Sequence, residues 1–174
     1  VALRHAHVDK LPLWVCEHIE ADEFESGTPH DGSWKPDPEL AAANAAVDAD
    51  YAGSGYDRGH MSPNANHKDK ALRGQTFFFS NAVPQDGPLN GGLWAKLEKQ
   101  ARTWAGTAND GVWVISGPFF WDPLEEDAAT ANGSVPYFAI GDGGVAVPTH
   151  VYKVVLRRVN GGAVAATTCE QPSA

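Results

Sequence analysis

Apolar residues recur along this chain with two different periods, and both periods predict regular structure. Aromatic and β-branched residues around a proline predict a strand over Leu11–Ile19. A compact aromatic run predicts a buried strand over Thr76–Ser80. Two further apolar runs predict strands over Gly111–Ser116 and Val147–Arg158. A sheet is therefore the main element of the predicted fold.

Two other segments have helical patterns. Leucine, alanine and tryptophan side chains at three- and four-residue spacing predict a helix over Gly91–Gly106. An alanine-rich run that follows a proline predicts a short helix over Glu39–Val47. Residues 27–38 are rich in Gly, Pro, Asp and Ser and predict a long loop. The order of elements predicts an α+β fold with a mixed, mainly antiparallel sheet, and we expect a single domain over residues 1–174.

The composition restricts the class of protein. Hydrophobic residues make up 43% and charged residues 20% of the chain, which is typical of a globular protein. No apolar run approaches the ~20 residues that a membrane-spanning helix needs. The formal net charge of -9 is unfavourable for a phosphate-rich partner. However, basic residues outnumber acidic ones across residues 57–73, and a divalent cation can supply positive potential locally.

Neither the start of the chain nor its cysteines identify a compartment. The sequence begins without Met and without an apolar leader, so either a signal peptide has been removed or the sequence begins inside a longer chain. Cys16 and Cys169 lie far apart along the chain. One long-range disulfide and two unpaired thiols are both compatible with this spacing.

The first segment with candidate chemistry reads Tyr56-Asp-Arg-Gly-His-Met-Ser-Pro63. A histidine such as His60 can take a proton from water near neutral pH. Arg58 offers paired donors that can grip phosphate oxygens. Gly59 permits a close approach of the backbone between them. The alternative interpretation is a surface turn with a solvated histidine.

Two further segments place polar residues beside apolar runs. Asn81 follows the phenylalanine run, where a structural hydrogen bond at a strand end is the simplest interpretation. Four polar or aromatic residues recur every fourth position and share one helical stripe: Asn90, Trp94, Glu98 and Arg102. The amide, carboxylate and guanidinium of this stripe suit a metal and a phosphate. The alternative for Asn90 is a simple N-cap, which contributes about 1 kcal/mol.

The runs DRGHMSP, FFFSNAVPQ and LNGGLWAKLEKQAR together closely resemble the DNA/RNA non-specific endonuclease family. Members of this family have a ββα-metal active site, which we expect at about residues 56–105. They include secreted bacterial nucleases and the mitochondrial endonuclease G type. The resemblance spans roughly residues 10–155, and the family's final strands are hard to place after Val154.

The resemblance implies a metal site on the predicted helix. Asn90 would be the only direct protein ligand of a divalent cation, with Mg²⁺ as the first expectation and Mn²⁺ or another divalent cation as the alternative. Glu98 would bind the metal through a water molecule. Because Mg²⁺ keeps several of its waters in proteins, such sparse ligation suits it.

The resemblance also implies roles in a hydrolytic reaction. His60 would be the general base that activates water. Arg58 and Arg102 would contact the phosphate, and Asn81 would support the site near His60. For Asp57 we expect a structural role. Since water is the nucleophile, the ribose 2′-OH is not needed, and both DNA and RNA are expected substrates, cut to 5′-phosphate and 3′-hydroxyl ends.

Further expectations concern specificity, partners and location. Contacts to the phosphate backbone rather than to base edges would give little sequence preference. A homodimer and a proteinaceous inhibitor are compatible with the family, whereas a membrane partner is not expected. We expect a secreted or periplasmic location rather than a cytoplasmic one, because the family includes secreted nucleases.

Two other functions compete with a nuclease. The first is a catalytically inactive nuclease-like module that binds nucleic acid or a protein partner, and the intact His60, Asn90, Glu98 and Arg102 argue against it. The second is a zinc hydrolase, which is disfavoured because no H-x-x-x-H or C-x-x-C pair occurs. Among the other histidines, we expect His67 to be a solvated loop residue.

Overall fold

A five-stranded antiparallel sheet with strand order β1-β2-β5-β8-β9 forms the centre of the molecule. The structure is a computed structural model that describes residues 1–24, 32–122, 135–159 and 163–172, with the backbone alone described for residues 159 and 163–172. The strands of this sheet are β1 Ala2–Ala6, β2 Leu11–Ile19, β5 Val112–Phe119, β8 His150–Val159 and β9 Ala163–Pro172. The mixed α+β fold with a mainly antiparallel sheet is confirmed.

A smaller antiparallel pair carries the DRGH segment. Strand β3 (Asp57–His60) pairs with β4 (Ala82–Gln85). After β4, three helical segments follow one another without a break: α3 (Gly87–Leu89), a π-helical turn (Asn90–Trp94) and α4 (Ala95–Ala105). We call these three segments the site helix. Together with β3 and β4 they make the ββα unit that the family resemblance predicts.

The remaining elements are short. A hairpin joins two strands of three residues each, and two short helices precede and follow β3. These elements are α1 Asp48–Tyr51, α2 Lys70–Gln75, β6 Phe138–Ile140 and β7 Val145–Val147. Within the described ranges, no helix combines the length and the apolar character that a membrane span requires.

The buried faces of β2, β5 and β8 are apolar except at three positions among the described side chains. Inward-facing residues of β2, β5 and β8 are mostly valine, leucine and isoleucine, and they pack against the site helix and the segments around it. The exceptions are Glu17 on β2, Ser116 on β5 and Lys153 on β8, which are all buried. Ser116 and Lys153 are direct partners in the strand register. This polar cluster lies beneath the ββα unit, because Lys153 reaches both Met61 and Trp94.

Two of the secondary-structure predictions are wrong. The helix expected over Glu39–Val47 is a single 3-10 turn at Ala42–Asn44, flanked by extended backbone. Alanine propensity alone does not hold so short a helix when no apolar stripe anchors it. The segment Thr76–Ser80 is not a strand: it contains a turn, an isolated bridge between Phe78 and Lys35, and the start of the 3-10 turn Phe79–Asn81. Phe77 and Phe79 are buried, and the strand β4 begins at Ala82.

The site helix begins earlier than the sequence pattern indicates. Helical backbone starts at Gly87, so Asn90 lies inside the helix, with φ -58° and ψ -54°. Its backbone N–H donates to the Asp86 carbonyl at 2.8 Å. Asn90 is therefore not an N-cap, which removes the simplest structural explanation for this residue.

The strand order excludes a disulfide between the two cysteines. Cys16 lies on β2 and Cys169 on β9, and strands β5 and β8 separate them. Three strand spacings correspond to about 14 Å between backbones. A disulfide needs Cα atoms about 4.4–6.8 Å apart. Of the two alternatives open for this pair, only the unpaired one fits the backbone, and Cys16 is a free thiol.

Candidate active site

His60 ends β3 and is held from several sides. Its ring lies 4.5 Å from the Trp34 ring, centroid to centroid, and 5.0 Å from the Phe77 ring in an edge-on arrangement. Its backbone carbonyl accepts a hydrogen bond of 2.9 Å from the Trp94 indole. Both the ring and the backbone of His60 are therefore fixed before any substrate binds.

Gly59 leaves room for the buried side chain of Gln85 beside His60. A Cβ atom at this position would lie 2.0 Å from the side-chain oxygen of Gln85. Gln85 is fully buried, so its side chain has little room to move aside. Glycine is required here because of this contact, and not because of an unusual backbone angle.

Asn81 holds the segment that follows His60. Its side-chain oxygen accepts from the Ser62 backbone N–H at 2.9 Å, and its amide nitrogen donates to the carbonyls of Ser62 at 2.8 Å and Thr76 at 2.9 Å. The Asn81 carbonyl accepts from the Met61 N–H at 3.0 Å. The structure thus places Asn81 against the two residues after His60.

Asn90 faces β3 from the π-helical turn. Its amide nitrogen donates to the Asp57 carboxylate at 3.0 Å, which joins the helix to the first residue of β3. This bond orients the amide and leaves its oxygen as the group that can bind a cation. Amide and carboxylate oxygens are the donors that Mg²⁺ prefers. π-Helical turns are rare and occur frequently at functional sites.

The described residues contain no cluster of three or more His, Cys, Asp or Glu side chains arranged to hold a metal. A cation at Asn90 would therefore take most of its ligands from water or substrate. This donor set fits a hard divalent ion that keeps its hydration shell.

Glu98 and Arg102 lie further along α4, on the side of the buried polar cluster. Burial raises the pKa of Glu98 to about 7, Lys153 and Arg102 oppose this shift, and Glu17 adds to it. A nearby divalent cation would favour the ionised carboxylate. Arg102 donates to the side-chain oxygen of Asn66 at 2.8 Å.

Arg58 is bound to the start of α1. Its guanidinium pairs with the Asp48 carboxylate at 2.8 Å and lies 5.4 Å from the centroid of the Tyr51 ring. Because Asp48 is exposed, solvent screens this ion pair. A phosphate that binds Arg58 would have to share the guanidinium with the Asp48 carboxylate or displace that carboxylate.

Several residues of the site were missed by the sequence analysis. His67 is wrongly predicted to be solvated: it is only 7% exposed, and its Nε2 lies 3.0 Å from the Ser62 hydroxyl and 3.6 Å from the Glu17 carboxylate. Lys153 donates to the Ser116 hydroxyl at 2.6 Å and to the Met61 carbonyl at 3.3 Å. The alternation of side chains along a strand could have identified Glu17 and Lys153, because it places them on the buried faces of β2 and β8.

The chain is similar in sequence to proteins that are named as nucleases. The chain is 38% identical over 160 residues to the mitochondrial nuclease EXOG of Mus musculus, covering 90% of this chain and 42% of that protein. It is 36% identical over 165 residues to the mitochondrial endonuclease G of Homo sapiens, covering 93% of this chain and 54% of that protein. It is 37% identical over 153 residues to nuclease C1 of Cunninghamella echinulata var. echinulata, covering 85% and 59%. The chain thus spans about half the length of these relatives.

These relatives contradict the expected location. A secreted or periplasmic protein was expected, yet the EXOG and endonuclease G relatives are mitochondrial proteins. The expectation was wrong because the family contains both secreted and mitochondrial nucleases, so the resemblance to the family does not decide the location. The residues that direct a protein to a compartment are separate from those that form its active site.

The fold and the family agree with the site geometry. The structure superposes on the crystal structure of the EndoG/EndoGI complex with a TM-score of 0.87 at 29% identity, covering 99% of this chain and 71% of that chain. The sequence model of the DNA/RNA non-specific endonuclease family matches residues 1–173. The chain therefore belongs to the DNA/RNA non-specific endonuclease family.

Proposed function

We propose that this chain is a metal-dependent nuclease domain, extending over residues 1–174, that hydrolyses phosphodiester bonds of DNA and RNA. The observation that carries this proposal is the link between β3 and the site helix, where the Asn90 amide donates to the Asp57 carboxylate at 3.0 Å. Asp57 and His60 are the two ends of the same short strand. The ββα unit thus assembles a base and a cation-binding oxygen on one scaffold. Membership of the endonuclease family supports the same chemistry.

His60 is the proposed general base. Its ring is held by Trp34 and Phe77, which limits the directions in which it can accept a proton. A neutral imidazole can take a proton from a water molecule that attacks the phosphorus. Since no 2′-OH takes part, RNA and DNA would both be cut, leaving a 5′ phosphate and a 3′ hydroxyl.

Asn90 is the proposed direct ligand of the metal, through its side-chain oxygen. Mg²⁺ is the expected ion, and when bound it would neutralise charge on the phosphate and on the leaving oxygen. Glu98 would accept a hydrogen bond from a water of that ion. Arg102 and Arg58 would contact non-bridging phosphate oxygens, and Asn81 would hold the segment behind His60.

The proposed partners are nucleic acids and a protein inhibitor. Contacts limited to the phosphate backbone would make cleavage largely independent of sequence. Support for an inhibitor comes from the superposition on EndoG, whose structure was solved with EndoGI. A homodimer remains a prediction.

The test is cleavage of supercoiled plasmid and of total RNA by the wild type, His60→Ala and Asn90→Ala, first with Mg²⁺ and then with EDTA. We expect the wild type to degrade both substrates only with metal, and His60→Ala to lose about 10²–10⁴-fold in rate. His18→Ala is the matched control, because His18 lies at the far end of β2 against Asp110 and Trp113. If the wild type binds nucleic acid and leaves it intact with Mg²⁺, Mn²⁺ and Ca²⁺, the chain is an inactive binding module.

A further inference from the structure

A chain of buried hydrogen bonds connects the central sheet to Arg102. The Arg102 guanidinium donates to the side-chain oxygen of Asn66 at 2.8 Å, and the Asn66 amide nitrogen donates to the Glu17 carboxylate at 2.9 Å. Glu17 and Asn66 are each 2% exposed, so water is not available to replace the bond between them, whereas the bond from Arg102 to Asn66 is partly buried. The connection runs from α4 through the 3-10 turn Asn64–Asn66 to β2.

The direction of each bond in this chain follows from the groups at its ends. A guanidinium has donors and no acceptor, so Asn66 must present its oxygen to Arg102 and its nitrogen to the next partner. That partner must be an acceptor, and an ionised carboxylate is an acceptor only. Hydrogen bonds to charged groups are roughly twice as strong as neutral ones. Glu17 is therefore chemically suited to fix the orientation of the Asn66 amide.

The second oxygen of Glu17 binds the segment behind His60. It accepts from the Ser62 hydroxyl at 2.7 Å and lies 3.6 Å from His67 Nε2. Ser62 is two residues after His60, and Asn81 holds its backbone. The buried Glu17 carboxylate thus contacts both Asn66, which binds Arg102, and Ser62, which follows His60 in the chain.

We propose that Glu17 is a positioning residue that, through Asn66, holds the Arg102 guanidinium in the direction of the scissile phosphate. This inference rests on the proposed function, because it assigns a phosphate contact to Arg102. Without the link, the guanidinium regains rotamers that it must lose again in each reaction cycle. A displacement of about 1 Å of a reacting or stabilising group can lower a rate by about 10²-fold.

The test is a double-mutant cycle measured with linear double-stranded DNA and Mg²⁺. Glu17→Gln removes the charge and keeps the shape, whereas Asn66→Ala interrupts the link. We expect each to lower kcat by about tenfold to hundredfold, with a smaller change in KM. In the Arg102→Ala background, Asn66→Ala should lower kcat by less than about twofold, because the residue through which it acts is gone. Glu17→Gln should lower kcat by a smaller factor there than in the wild type, because only its contact with Ser62 is left. Variants are compared only when their circular dichroism spectra match the wild type, and Asn66→Ala serves if Glu17→Gln does not fold.

A matched control separates positioning from a general effect of a lost buried carboxylate. Asp50 is also buried, and its carboxylate accepts from the backbone N–H groups of Val47 and Gly143 at 2.9 Å and 2.8 Å. Asp50→Asn should change kcat by the same factor with and without Arg102. If Glu17→Gln and Asn66→Ala also behave in this additive way, the proposal is overturned.

A second readout does not depend on cleavage. In ¹⁵N spectra of the metal-free protein, the Arg102 side-chain resonance is assigned by its disappearance in Arg102→Ala. We expect slow rotation of the guanidinium in the wild type and fast rotation in Glu17→Gln and Asn66→Ala. If the wild type does not cut DNA, the proposed function fails, while this resonance still decides whether Glu17 orders Arg102. An Arg102 resonance that is unchanged in both variants overturns the proposal.

Discussion

The ammonium group of Lys153 lies 4.4 Å from the centroid of the Trp94 ring, at the boundary between β8 and the site helix. The same two side chains hold consecutive carbonyls: the Trp94 indole donates to His60, and Lys153 donates to Met61. Lys153 is 3% exposed, and burial lowers its pKa against the raising effect of Glu98 and Glu17. The backbone at the end of β3 is thus fixed by two residues that touch one another.

Lys153→Met should destabilise the metal-free protein by about 1–3 kcal/mol, because it leaves the buried Ser116 hydroxyl and Met61 carbonyl without their donor. It also removes the positive charge that interacts favourably with Glu98 and Glu17. Urea unfolding in EDTA measures this free energy. Lys96→Met is the control, since Lys96 is exposed on α4, and it should change stability by less than about 0.5 kcal/mol. Equal losses for both variants would contradict a specific role of the buried ammonium.

Gly59→Ala should lower the free energy of unfolding by about 1–3 kcal/mol, because the added methyl group overlaps a fully packed side chain. The methyl carbon would lie 2.0 Å from the side-chain oxygen of Gln85, so this buried side chain must shift. We expect kcat to fall as well, because His60 ends β3. Thermal unfolding and plasmid cleavage measure the two effects.

Gly74→Ala is the control for this prediction. Gly74 lies in α2, and no atom lies within 4 Å of the position of its Cβ. Alanine should therefore stabilise the helix by up to about 1 kcal/mol and leave kcat unchanged. A wild-type stability for Gly59→Ala would show that the Gln85 side chain does not need the space over Gly59.

Asp57→Ala should raise the Mg²⁺ concentration for half-maximal cleavage by about tenfold or more, because outer partners that orient a metal ligand contribute about 10–100-fold to affinity. Asp57 holds the Asn90 amide at 3.0 Å, and without it the amide can rotate. At saturating Mg²⁺ most of kcat should return. A titration of the cleavage rate with Mg²⁺ measures this shift.

Asp86→Ala controls for the loss of a negative charge near the metal. Asp86 precedes α3, and its side chain makes no capping hydrogen bond. If Asp57→Ala and Asp86→Ala shift the Mg²⁺ titration equally, the effect of Asp57 is one of net charge and not of orientation.

His67 should make the stability of the protein depend on pH. Burial lowers the pKa of His67 below its usual value, against the raising effect of Glu17. As pH falls through about 6.5, the unfolded chain therefore takes up a proton at this residue before the folded chain does. The contribution to the free energy of unfolding is present above that pH and is lost below it.

His67→Gln tests this sign, because glutamine does not titrate. The difference in free energy of unfolding between the wild type and His67→Gln should shrink from pH 8 to pH 5.5, as measured by urea unfolding. A difference that grows toward acid pH would mean that the folded state favours protonated His67, in an ion pair with Glu17.

The sequence predicts best where a local pattern is sufficient. The aromatic and β-branched residues of Leu11–Ile19 correctly predict a strand, and the three- and four-residue spacing in α4 correctly predicts a helix. The DRGH segment and the helix after it identify the family, which is confirmed. Local patterns fail where a segment is apolar and buried but its backbone does not pair in a sheet. Phe77 and Phe79 are buried as expected, yet Phe77 lies in a turn and Phe79 in a 3-10 turn. An aromatic ring can be buried without strand hydrogen bonds in the backbone around it.

What the sequence determined by itself was the ββα unit, the identity of its polar residues and the chemistry they suit. Only the tertiary structure showed that Glu17, Asn66 and Lys153 belong to the site. Glu17 is 49 residues from Asn66, and Lys153 is 92 residues from Met61. Spacing along a chain encodes only neighbours within a few residues on a helix or strand. These contacts arise from the strand order β1-β2-β5-β8-β9, which brings the buried faces of β2 and β8 beneath the site helix.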